Sequence, residues 1–339
     1  MEIELLKQEL LNIKLDYQNK INIPDNKFGI EIEFAGAIYI DIEHKLDELL
    51  GYETRNIEQT KKIEEDKLKY KKWKLVNDAS VQSNAFHRAK KGGEINSPIM
   101  KNTKKYWEEL KKVCTMLKKM EYIKITSRCS IHVHTEKIIY NEIEEYKNLL
   151  KLWILYEDII YKFAYGEIDS PRETMLNFAR PFCSSFIINP VEIINELENI
   201  ETKEELIKLL KNERKQGLNL TNILQEKNKE MKVIKPTIEV RTYNGTLNEN
   251  LIQNIIRFNQ NLLNSAKIEN FDKELIEYKI KNYQPFYYGE TIKEKPKKAD
   301  EFSKLIFKDE LDRLKFLKQY YKSYKEDDIE KTLYLWYYQ

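Results

Sequence analysis

Four short triplets, far apart in the chain, share one pattern: Glu31-Ile32-Glu33, Glu94-Ile95-Asn96, His132-Val133-His134 and Glu239-Val240-Arg241. Each is polar, β-branched, polar. Side chains alternate across a strand, so each triplet sends two polar groups to one face and its aliphatic residue to the other. Flanking β-formers, as in "FGIEIEFAG", "GGEINSPIM", "CSIHVHTE" and "TIEVRTYNG", support strands at all four places. A half-buried strand with one wet face shows the same alternation. Four such strands lying side by side make a wall of carboxylates and imidazoles instead.

The remaining chain reads mainly as helices. Ile3, Leu6, Leu10, Ile13 and Tyr17 fall at helical spacing, which predicts an amphipathic opening helix and not a signal peptide. Residues 41 to 72 are charge-rich and helical in pattern, and "WKLVNDASV" reads as a further strand. Helices are expected over 103 to 120, from 141 to about 163, from Pro190, from the capping-box match at Thr202 to Glu205 as far as about Lys215, and from 248 to about 267. "YIKITSRCSIHVHTE" predicts a hairpin or paired strands. Short strands scattered among helices without strict βαβ alternation favour an α+β fold, an antiparallel sheet backed by helices. The expected division is an N-terminal helix (1–23), a main domain (24–290) with a helical insertion at about 41–72, and a helical tail (291–339).

Composition narrows the function. With 58 basic and 56 acidic residues the net charge is only +2, so no global field points to nucleic acid or an anionic membrane. No apolar run is long enough to span a bilayer. Three cysteines without paired spacing suggest reduced thiols and a cytoplasmic protein. Cys129 and His132 lie three residues apart on an extended segment, which sends them to opposite faces and argues against a thiol nucleophile. No glycine-rich phosphate loop is present, so a bound nucleotide would be held by metal ions and side chains. The tail's Leu314, Leu317, Tyr321 and Tyr324 sit at helical spacing, suited to docking on the core or on a second subunit.

If the four strands are neighbours, Glu31, Glu33, Glu94 and Glu239 converge, and such carboxylates repel unless cations or protons compensate. Oxygen-rich sites with an imidazole suit Mg²⁺ or Mn²⁺ better than tetrahedral Zn²⁺.

In order along the chain, "FGIEIEF", "WKLVNDASV", "GGEINSPIM", "CSIHVHTE", "GLNLTNI" and "TIEVRTYNGTLN" resemble the signature blocks of the amidoligase family. That family is a branch of the glutamine synthetase and glutamate-cysteine ligase superfamily of carboxylate-amine ligases. The resemblance implies a curved antiparallel sheet forming an open funnel, like the glutamine synthetase catalytic domain, with ATP entering one end and the acceptor substrates the other. It implies Mg²⁺ or Mn²⁺ held by Glu31, Glu33, Glu94, His132 and Glu239, with His134 on nucleotide phosphate and Arg241 on phosphate or a substrate carboxylate. Asp78, Arg180 and Asn219 would be further substrate contacts. Ser130 departs from the family pattern, which usually has Gly there. The activity so implied joins a carboxylate to an amine on an amino acid, peptide or peptide-like substrate. A nucleotide-binding or assembly module without catalysis, and a metal-dependent phosphotransferase, use the same residues and stand as alternatives.

Overall fold

The structure is a computed structural model that describes residues 9–10, 12–51, 72–78, 80–81, 91–136, 139–168, 170–184, 189–224, 236–283 and 296–321. Six strands form one antiparallel sheet: β1 (Phe28–Ala37), β2 (Lys74–Asn77), β3 (Lys91–Asn96), β4 (Ser130–Glu136), β5 (Leu218–Asn219) and β6 (Thr237–Asn244). Their order is β2-β3-β1-β4-β6-β5. The four strands carrying the triplets are therefore consecutive in the sheet. Register aligns them further: Glu33 faces Glu94, Glu31 faces His132, and His134 faces Glu239.

The alternation sends Ile30, Ile32, Phe34, Ile95, Ile131, Val133, Ile238 and Val240 to the opposite face, where all are buried. Helices cover them. In chain order the helices among the described residues are α1 (Tyr39–Leu50), α2 (Lys104–Lys119), α3 (Ile143–Leu155), α4 (Glu157–Ala164), α5 (Met175–Phe178), α6 (Pro190–Glu196), α7 (Lys203–Leu209), α8 (Glu249–Ser265), α9 (Lys273–Lys281), α10 (Pro296–Ile306) and α11 (Glu310–Tyr320). Helix α8 lies on β4 and α4 on β6, while α10 and α11 close over both helices. Phe163 of α4, Phe258 of α8 and Phe316 of α11 interlock, with the Phe163 and Phe316 rings stacked at 4.8 Å. Leu314, Leu317 and Tyr321 are thus buried in the chain's own core, and Tyr324 lies outside the described residues. No described helix is long and apolar enough to cross a membrane.

Two irregularities shape the polar face. Ile131 of β4 faces Tyr243 while Val133 faces Val240, so Arg241 and Thr242 of β6 stand against His132 alone. Such a bulge bends a strand and re-aims its side chains. At Gly92 the backbone of Asp78 passes so close that an added Cβ would lie 2.1 Å from the Asp78 carbonyl oxygen. Only glycine admits that approach, which draws Asp78 onto β3 just beyond the end of β2.

Several expected elements differ. The hairpin expected over 122 to 136 is a single strand, β4; its first half turns, and Lys124 bridges Ala35. Gly36 allows that contact, since its φ is +86° and a Cβ there would strike the Tyr122 carbonyl. The single helix expected from 141 is two, broken at Tyr156, after which Glu157 and Asp158 open a new first turn. The capping box at Thr202 and Glu205 forms, but the helix stops at Leu209 because Lys211 and Asn212 take left-handed backbone. The "WKLVNDASV" strand ends at Asn77, where Asp78 accepts from the Ser80 N–H and hydroxyl at 2.7 and 2.9 Å. Of the opening helix, residues 1–8 and 11 lie outside the described residues, and Ile13 and Tyr17 fall beyond its end. Most of the 41–72 insertion also lies outside, apart from α1.

Candidate functional site

Strand register gathers Glu31, Glu33, Glu94, His132, His134 and Glu239 on one face. His132 Nδ1 lies 3.0 Å from Glu31 Oε2 and 3.8 Å from Glu239 Oε1, and its Nε2 lies 3.5 Å from Glu33 Oε1. His134 Nε2 lies 3.1 Å from Glu31 Oε1 and 3.8 Å from Glu239 Oε1. Three overlapping groups offer ligand atoms within 4.8 Å of one another: Glu31, Glu94 and His132; Glu31, His134 and Glu239; Glu33, Asp78 and Glu94. Oxygen donors with one imidazole, or with none, match the donor set of a hard divalent cation.

Residues 24–263 match the family described as "Putative amidoligase enzyme". The chain belongs to the amidoligase family. No curated protein matches it. Among solved structures, a bifunctional glutathione synthetase from Pasteurella multocida aligns over 97% of this chain and 48% of its own, at 12% identity and a TM-score of 0.39. The chain thus spans about half the length of that enzyme, and a likeness of this size transfers neither fold nor activity.

The wall of this amidoligase-family protein is partly neutralised from within. Glu239 accepts from the Asn219 amide at 2.7 Å and from the Arg241 guanidinium, which also donates to the Phe178 carbonyl at 2.9 Å. Asn219 is fixed in turn by the Thr221 N–H and hydroxyl at 3.0 and 2.8 Å. Burial alone would raise the Glu239 carboxyl, but His134, Arg241 and His132 outweigh it and hold it below the ordinary range. Glu31 shows the same contest, with burial opposed by both imidazoles, and ends well below the ordinary range. Glu94 goes the other way. Burial, then the charges of Glu31, Glu33 and Asp78, push it well above.

Nine of the ten residues named from sequence meet in this cluster or hold its members, including Asp78 and Asn219. Arg180 is the exception: its guanidinium donates to the Leu176 carbonyl at 3.1 Å and lies 3.9 Å from Glu213. Cys129 precedes β4, packs its Sγ 3.4 Å from the Thr126 N–H and hydroxyl, and is pushed up by burial, so no reactive thiol faces the wall.

Two residues escaped the sequence reading. Arg172 is buried, donates to the Arg241 carbonyl at 3.0 Å, and brings its guanidinium to 4.0 Å from Glu33. Burial pulls it down to about 10. Its segment, "SPRETMLNFARPF", reads as an irregular loop, and nothing local marks a charge that folds inward. Ser130 is the second. Its N–H donates to Glu33 Oε2 at 2.8 Å and its Oγ lies 2.9 Å from His132 Nε2. From sequence it was noted only as a departure from the family likeness, not as a partner of these groups.

Proposed function

We propose that the protein is an ATP-dependent carboxylate-amine ligase working with Mg²⁺ or Mn²⁺. The observation that carries this reading is the convergence of the three ligand groups, sharing Glu31 and Glu94, on one face of the sheet. So many buried carboxylates cost folding free energy unless cations offset them, and a chain with no such task would gain by losing them. We extend the proposal to the fold, reading the six antiparallel strands as the curved funnel of the glutamine synthetase catalytic domain. Residues 24–290 would form that catalytic unit, flanked by the opening helix and the tail.

An amide cannot form directly from a carboxylate, because hydroxide is too poor a leaving group. In the proposed sequence a substrate carboxylate oxygen attacks the γ-phosphorus of ATP and ADP departs. The amine then attacks the acyl carbon, phosphate leaves with that oxygen, and the amine gives up a proton. Divalent cations held by Glu31, Glu33, Glu94, His132 and Glu239 would screen the charge that builds up on the phosphates. Arg241, fixed by Glu239 and Phe178 yet still partly open to solvent, offers a preorganised guanidinium for phosphate or a substrate carboxylate. His134 stands beside it for nucleotide phosphate, and Asp78 and Asn219 border the space for substrate. No protein nucleophile takes part.

The substrates we expect are a small-molecule or peptide carboxylate and amine. We place the activity in the cytoplasm, in keeping with three free cysteines, and expect no nucleic-acid partner; self-association through the tail belongs to the same proposal.

The test is ADP release by the purified protein with Mn²⁺, ATP and pools of amino acids and peptides, with and without an amine. Ligase activity appears as amine-dependent ADP release together with a product that has lost one water. Glu31→Gln, which reaches two of the three ligand groups, should lower it at least roughly 100-fold while the variant melts as a folded protein. ADP release indifferent to any amine would make the protein a phosphotransferase or hydrolase, and none under any condition would make it a binding module.

A further inference from the structure

The ring of His132 has a neighbour at each nitrogen. Nδ1 faces Glu31 at 3.0 Å, and Nε2 faces the Ser130 hydroxyl at 2.9 Å. A neutral imidazole has one N–H and one lone pair, so the partner at one nitrogen decides what the other can offer. A hydroxyl serves either way: it accepts from N–H and donates to a lone pair. Glu33 Oε1 also lies near Nε2, but at 3.5 Å, and its other oxygen already takes the Ser130 N–H, with Arg172 at 4.0 Å. The hydroxyl is therefore the partner of that nitrogen. Ser130 is fully buried, so no bulk water competes for the position.

We propose that Ser130 is a positioning residue for His132, accepting the Nε2–H so that the Nδ1 lone pair is presented to a divalent cation shared with Glu31. This rests on the metal-dependent reading above. Without a cation the same hydrogen bonds run in reverse: an ionised Glu31 can only accept, so Nδ1 carries the proton and Ser130 donates to Nε2. Cation binding removes one proton from Nδ1 and places one on Nε2, leaving the ring neutral while the hydroxyl turns over. Partners of this kind, one bond behind the ligand, are worth roughly 10- to 100-fold in metal affinity.

The experiment uses the full chain with ¹⁵N-labelled histidine. Long-range ¹H–¹⁵N spectra in chelator and in Mg²⁺ read the tautomer of His132, and Mn²⁺ titration reads affinity in wild type, Ser130→Ala, Ser130→Gly and Ser130→Thr. Wild type should pass from Nδ1–H to Nε2–H on adding Mg²⁺. Ser130→Ala and Ser130→Gly should bind Mn²⁺ about 10-fold more weakly at an unchanged melting midpoint, and Ser130→Thr, which keeps the hydroxyl, should stay near wild type. Equal affinity in wild type and Ser130→Ala, or an Nδ1–H ring in the Mg²⁺-loaded protein, overturns the inference and leaves the ligase reading standing. A wild-type protein that binds no Mn²⁺ overturns both.

Discussion

At the β6 end of the polar face, Glu239 shares its carboxylate with Arg241, Asn219 and two imidazoles. At the β3 end, Glu94 meets Glu33 across the ladder and Asp78 from the turn beyond β2. The residue type and the strand face are the same at both ends, yet one carboxyl is held below its ordinary range and the other well above. The difference lies in who supplies the positive charge. At the first end the protein does, through side chains locked by their own hydrogen bonds, so that end is formed with or without an ion. At the second, among the described residues, the His132 ring and Arg172 approach Glu33, at 3.5 and 4.0 Å, and no guanidinium or ammonium pairs with Glu94. That is the end we propose a cation completes.

The largest effect should follow from supplying the cation. Mn²⁺ at about 100 times its dissociation constant stabilises a protein that binds it only when folded by roughly 2.7 kcal/mol, visible as a higher melting midpoint than in chelator. Glu94→Gln should lose most of that gain, since Glu94 belongs to two of the three ligand groups. If the variant gains as much as wild type, the comparison between the ends is wrong.

Removing charge in chelator sharpens it next. Glu239→Gln leaves Arg241 beside a neutral amide in a buried site and should cost roughly 1–3 kcal/mol. Glu94→Gln relieves a carboxylate pressed by its neighbours and should leave the midpoint unchanged or raise it by a few degrees, about what 1 kcal/mol gives in a domain of this size. Thermal melts of both variants decide it, and shifts of the same sign would break the contrast.

The ends should also respond oppositely to acid. Glu94 has a folded pKa above its unfolded value, so in the metal-free protein it destabilises at neutral pH, and stability rises as pH falls through that range. Glu31 and Glu239 have folded values below their unfolded ones, so their contribution is present above the ordinary carboxylate range and is lost as pH falls further. Stability in chelator should therefore pass through a maximum on acidification. Denaturant titrations over a pH series should show Glu94→Gln flattening the upper limb alone.

How much of this the sequence discloses depends on whether the cause is local. Period-two alternation is local, and so the triplets reveal four strands and the face each presents. That the strands are neighbours was a supposition from sequence, and the family blocks gave it weight. Asp78, expected as a substrate contact, also caps a turn, and it reaches the wall because Gly92 brings its backbone against β3. What could not be read was tertiary in origin: the slip that sets two β6 residues against His132, the inward turn of Arg172, and the use to which Ser130 puts its hydroxyl. The hairpin expected over 122 to 136 failed for the opposite reason, since β-branched residues there satisfied a local pattern while the chain was needed to pass under Gly36.

The smallest predicted effect concerns Arg180, the one candidate drawn away from the wall. Its guanidinium pairs at 3.9 Å with Glu213 in a partly exposed position, and such pairs contribute between nothing and about 1 kcal/mol. Its backbone does more. The Arg180 N–H donates to the Lys215 carbonyl at 2.7 Å, the Arg180 carbonyl accepts from Gly217 at 3.0 Å, and the Gly217 carbonyl accepts from Arg241 at 2.8 Å. Arg180 thus ties down the segment that supports Arg241 without using its side chain. Arg180→Ala should leave stability within about 0.5 kcal/mol and the ligase rate near wild type, whereas Arg180→Pro, which removes the donor, should lose both. Melting curves and substrate KM values separate the cases. A KM raised many-fold in Arg180→Ala at an unchanged melting midpoint would mean that the guanidinium leaves Glu213 to meet substrate, restoring the role its family likeness implies.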